Sequence, residues 1–231
     1  MYNNTARINK YVHPFKQVLE GAQTLSNYYG YTPLKKGDYL PEIAHPASHI
    51  LFPGGRENKN QLGDITPVNL KDLSIENRPL VILFRPTYHQ QILPHIELLE
   101  TLQKDIQVMG GSLLIISNAG IRDLGRQLQE HKALWVLSDP HNSVAEQFGL
   151  FTPDNPIGDW LSGIDDNIPL PAFYLVLPNG AIGYHYVDYN FRTYQGSADE
   201  IYQQGFVRQL LTQIYQNSQA LRRPGKRAYV I

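Results

Sequence analysis

Three apolar runs of strand length, separated by segments of helical periodicity, constrain this fold most. "PLVILF" (79–84), "SLLIIS" (112–117) and "LWVLSD" (134–139) are nearly continuous in apolar residues. A strand with one wet face alternates apolar and polar residues, whereas one covered on both faces does not. Between the runs, "LPHIELLETLQKDIQVM" (93–109) places Leu98, Leu99, Leu102 and Ile106 on one stripe. Gly110-Gly111 ends that helix, and "GIRDLGRQLQEHK" (120–132) predicts another. "HNSVAEQFGL" (141–150) predicts a short helix with Asn142 or Ser143 as its cap. Strands and helices alternating at this spacing imply a parallel α/β arrangement.

The pattern changes after a Gly/Pro/Asp-rich loop (152–169). "AFYLVL" (172–177), Pro178-Asn179-Gly180 and "AIGYHYVD" (181–188) predict a β-hairpin, with Asn179-Gly180 supplying positive φ angles. A last helix is expected over 199–219, its apolar face being Ile201, Phe206, Leu210, Leu211, Ile214 and Tyr215. Upstream, Phe15, Val18, Leu19, Ala22 and Leu25 predict a helix over 15–29, with Gly30 as its stop. Residues 31–67 are mostly loop, with a short strand near "SHILF" (48–52). "VNLKDL" (68–73) looks like a strand end entering a helical turn. No repeat or long linker divides the chain. The expected organisation is a helical extension (1–33), one main domain (34–219) and a basic tail (220–231) carrying "RRPGKR".

Composition excludes several functions. With 42% hydrophobic and 18% charged residues and a net charge of −1, no global field attracts nucleic acid or anionic lipid. No stretch approaches the ~20 apolar residues that span a bilayer, and "MYNNTARINKYVHPFKQ" lacks a signal-peptide core, so a cytoplasmic protein is expected. The cysteine count is zero, which removes disulfides, zinc–thiolate sites, iron–sulfur clusters and thiol mechanisms together.

A parallel start closed by a hairpin and a helix is the element order of the thioredoxin fold. "LKKGDYLPEIAHP" (34–46), "VNLKDLSIENRPLVILF" (68–84), "VLSDPHNSVAEQFGL" (136–150) and "LPAFYLVLPNGAIGYHYVD" (170–188) sharpen this. Together they resemble the peroxiredoxins, in particular the alkyl hydroperoxide reductase/thiol-specific antioxidant (redoxin) family, over about residues 34–217. The resemblance implies a central mixed sheet flanked by helices, with the N-terminal helical extension added. It also implies antioxidant thiol peroxidase activity and a homodimer.

In that family the segment matching 84–93 is the reactive loop. Aligning Phe84 and Pro86 on it puts the family's threonine on Gln90 and its peroxidatic cysteine on Leu93. The family's Arg-Gly-Gly-Trp version lands on the same two residues. Leucine has no lone pair to attack an O–O bond, and glutamine lacks the orienting hydroxyl. Pro86 survives, Pro171 matches the proline that is cis in thioredoxin folds, and Arg192 lies near the family's arginine. These five residues are the expected vestige of a site, with no catalytic residue, metal or cofactor expected there.

The leading expectation is therefore a peroxiredoxin-fold protein without thiol catalysis, kept to bind a small ligand or protein partner. One alternative is an oxidoreductase or other enzyme using Tyr88, His89, Arg85 or Arg192 as a non-thiol centre. For a metal, His89 and His95 stand six apart and do not share a helix face, leaving Asp139 and His141 as possible helpers. The other alternative is a structural interaction domain. Of 15 tyrosines several cluster late, and strand alternation puts Tyr184, Tyr186 and Asp188 on one face and His185 and Val187 on the other.

Overall fold

The computed structural model describes residues 29–46, 50–51, 67–70, 78–87, 95–128, 131, 133–159, 168–189, 191 and 205–222. Residues 15–28 of the expected N-terminal helix and residues 223–231 of the expected basic tail (220–231) lie outside these residues. Strands β1 (Ala44–Pro46) and β3 (Pro67–Asn69) form a small antiparallel pair. The remaining strands are β2 (Ile50–Leu51), β4 (Leu80–Phe84), β5 (Ser112–Ser117), β6 (Val136–Ser138), β7 (Ala172–Val176) and β8 (Ile182–Val187). They form one six-stranded sheet in the order β2-β6-β5-β4-β7-β8. The pairs β4–β5 and β5–β6 are parallel, while β7, β8 and β2 join antiparallel. The sheet is mixed, with the parallel start and the hairpin finish that the sequence predicts.

Helices α1 (Ile96–Val108), α2 (Ile121–Gln127) and α4 (Gly205–Arg222) cover one face. Their Leu99, Leu102, Ile106, Leu124, Leu210 and Ile214 pack with Val81, Leu83, Leu113, Ile115 and Leu175. Helix α3 (Ser143–Gln147) and irregular segments cover the other. There Tyr31, Leu40, Leu70, Val144, Phe148 and Leu170 pack on Leu80, Ile82, Phe84, Leu114 and Tyr174. With both faces covered, β4 is buried throughout, which explains its unbroken apolar run. Each such Leu or Ile contributes about 1.5–3 kcal/mol relative to exposure.

The structure refines four local expectations. Helix α4 buries Val207 together with Leu210 and Ile214, whereas Tyr215 is half exposed, one residue round the helix from the buried stripe. The hairpin loop takes positive φ at Gly180 alone (+83°), not at Asn179. Pro178 holds φ at about −65° in the first turn position, which favours a type I turn and moves the left-handed residue one place later. The Gly180 N–H accordingly donates to Leu177 O, and Leu177 N–H to Ala181 O, both at 2.8 Å. Neither Asn142 nor Ser143 caps the α3 backbone with its side chain; the cap comes from Asp139. Every peptide bond among the described residues is trans, Leu170–Pro171 included.

Candidate functional site

Sheet register assembles a polar row at the end of the apolar strands. Phe84 pairs with Ile116 on one side and Ala172 on the other, Ala172 with Val187, and Ser117 with Ser138. One residue further on, Arg85 stands between Ser117 and Pro171, and Asp188 stands beside Pro171. Main-chain bonds fix these positions: Arg85 N–H donates to Ile116 O and Asp188 N–H to Pro171 O, each at 2.8 Å. Across the sheet the row reads Ser138, Ser117, Arg85, Pro171, Asp188. Continuing the alternation of Val81 and Leu83 places it on the face that carries α1, α2 and α4.

All of the row's polar members are buried: Arg85 is 4% exposed, Asp188 2%, and Ser117 and Ser138 1% each. Arg85 and Asp188 are two strand spacings apart, roughly 10 Å. The two serines are committed locally. Ser117 Oγ accepts the Ala119 N–H at 3.3 Å, and Ser138 Oγ donates to Ala119 O at 2.7 Å. Both hydroxyls shape the turn after β5, so neither is presented as a nucleophile. The turn's Asn118 accepts the Thr87 N–H through Oδ1 at 2.7 Å, tethering the loop that leaves β4.

Asp139, next along the chain, is occupied at both oxygens. Its Oδ2 accepts the Val144 and Ala145 N–H groups at 2.9 and 3.0 Å, and its Oδ1 accepts the Ser143 hydroxyl at 2.9 Å. A carboxylate at a helix N-terminus satisfies donors that the helix leaves open. Three of the acceptor directions of Asp139 are thus used within the α3 cap, and His141 is exposed. His95 is the first described residue of the α1 end, half-buried, with φ +59°.

Of the five expected site residues, Pro86 and Pro171 are described, both buried, and come together at this edge. Gln90, Leu93 and Arg192 lie outside the described residues, as do Tyr88 and His89. Arg85 belongs to the row, and so does Asp188, which the sequence placed only on a strand face with Tyr184 and Tyr186; Ser117, Asn118, Ser138 and Thr87, in or beside the row, were not singled out by the sequence. One signal for them exists in the sequence. Each run breaks to polar residues at the same edge, in "ILFR", "IISN", "VLSD" and "YVD".

The AhpC/TSA family model matches residues 55–185. The chain belongs to the AhpC/TSA family. That family is one of thiol peroxidases. Solved peroxiredoxins share the fold. Peroxidoxin BcpB from Mycobacterium tuberculosis is 18% identical with a TM-score of 0.52, covering 78% of this chain and 96% of its own. Mycobacterium tuberculosis AhpC is 17% identical with a TM-score of 0.53, covering 85% and 98%. The reduced 2-Cys peroxiredoxin of Plasmodium vivax is 18% identical with a TM-score of 0.52, covering 80% and 99%. No curated protein matches the chain. This AhpC/TSA chain has the mixed sheet and flanking helices of that fold, and holds no cysteine among its 231 residues. No helix among the described residues is long and apolar enough to cross a membrane.

Proposed function

We propose that this chain is an AhpC/TSA-family pseudoenzyme, a cytoplasmic protein that has kept the peroxidase scaffold without thiol peroxidase chemistry. Its work is to bind a small ligand or a protein partner, as a homodimer, through the domain of residues 34–219. One observation carries the reading: the corner is built and tethered, yet no thiol exists in the chain to use it. A peroxidase of this family attacks the O–O bond with a thiolate, and nothing at Leu93 or elsewhere supplies one.

Purified protein is expected to consume neither hydrogen peroxide nor an alkyl hydroperoxide above buffer, with or without dithiothreitol. Turnover proportional to protein concentration would overturn the reading and demand a non-thiol centre.

The same reading expects the pocket to retain the electrostatics of a thiolate site. In the double variant Leu93→Cys, Gln90→Thr, alkylation rate against pH is expected to report a thiol titrating below about 7.5, under the ordinary ~8.5. An unshifted thiol would overturn this expectation, showing either that residue 93 does not occupy the reactive position or that the electrostatics of a thiolate site are gone.

A further inference from the structure

His185 sits on β8 directly across from the buried Tyr174 of β7. Residues 37–40 run along the outer edge of β8. Gly37 N–H donates to Ile182 O at 2.9 Å, Ile182 N–H to Asp38 O at 2.7 Å, and Leu40 N–H to Gly180 O at 2.8 Å. At Lys36 the partner changes from main chain to side chain: its N–H donates to His185 Nδ1 at 3.2 Å. That bond needs a neutral imidazole carrying its proton on Nε2. Protonation places a hydrogen on Nδ1 as well, so two donors then face each other.

We propose that His185 is a pH-operated clasp, holding residues 35–40 over the edge of β8 while neutral and releasing their Lys35–Lys36 end when charged.

The neighbouring groups set the direction. Burial lowers the pKa of His185, Lys35 lowers it further, and Asp38 opposes them. The Asp38 carboxylate is positioned by the Lys35 N–H, which it accepts at 2.7 Å. On β7, the Tyr174 hydroxyl is pushed far above its ordinary range by burial, then by Tyr189 and Asp38, and stays uncharged. Burial also raises Tyr189. A histidine depressed in the folded state stabilises it fully above the unfolded value of about 6.5. That contribution is lost as pH falls through the folded value.

Amide exchange and imidazole nitrogen NMR on the full chain test the clasp. The expected result is an Nε2–H tautomer at neutral pH. The Lys36 amide protection factor should then fall by about tenfold as His185 protonates, the scale of one lost hydrogen bond, while Val81 and Leu114 keep theirs. Lys35→Gln should raise the pH at which Lys36 protection is lost and Asp38→Asn should lower it, each in step with the His185 titration, whereas a merely structural histidine would shift its own titration without moving Lys36 protection. An Nδ1–H tautomer, or Lys36 protection unchanged through the His185 titration, would overturn the proposal.

Discussion

Phe148→Ala is expected to lower the unfolding free energy by about 4–5 kcal/mol, the upper part of the range for truncating a buried aromatic. Phe148 has no exposed surface. It also lies edge-on between two other rings, 4.8 Å from Phe84 and 5.0 Å from Tyr174 between centroids. Each such pair adds about 0.5–1.5 kcal/mol beyond burial. The surrounding strands Leu80–Phe84 and Ala172–Val176 are central in the sheet and paired on both sides, so they have little freedom to collapse into the cavity. Urea unfolding should show a lower midpoint with an unchanged slope. Phe148→Leu, which keeps most of the volume, should cost less than half as much. A loss for alanine below about 2 kcal/mol would mean that the site relaxes and the ring cluster is not a keystone.

Gly149→Ala is expected to cost about 3 kcal/mol or more. Gly149 has φ +67°, and a Cβ there would collide with the Thr32 carbonyl group and stand 2.9 Å from Pro33 N. The obstacle is backbone, so no rotamer change relieves it. Gly149 also closes α3: its N–H donates to Glu146 O at 2.8 Å, and the Leu150 N–H donates to Ala145 O at 2.9 Å. That pair of bonds is a Schellman ending, which wants a left-handed residue in this place. Asparagine tolerates left-handed backbone, so Gly149→Asn separates the two causes. If collision dominates, it should destabilise at least as much as alanine. Recovery by asparagine would assign the cost to φ alone.

These two residues show what the most specific motif in the sequence does. "VLSDPHNSVAEQFGL" (136–150) carries much of the family resemblance. In the structure its Asp139 caps a helix, its Phe148 plugs the core and its Gly149 admits the Thr32–Pro33 backbone. The motif is a folding unit. That explains how family membership stays legible in a chain without the family's thiol.

The sequence by itself determined the apolar runs, their alternation with helices and the hairpin, because burial on both faces and the periodicities of helix and strand are local properties. It also determined that no residue among the 231 can serve as a peroxidatic thiolate. It placed Phe84, Pro86 and Pro171 at one corner through the resemblance. The shared burial of Arg85, Ser117, Ser138 and Asp188 belongs to tertiary structure. They lie up to about 100 positions apart, and only the order β6-β5-β4-β7-β8 with its register sets them in one row. The same holds for the capping of α3 and for the Lys36–His185 bond, which joins residues 149 apart. Side-chain hydrogen bonds of this kind depend on positions reached only after the sheet has closed, and local propensity carries no record of them.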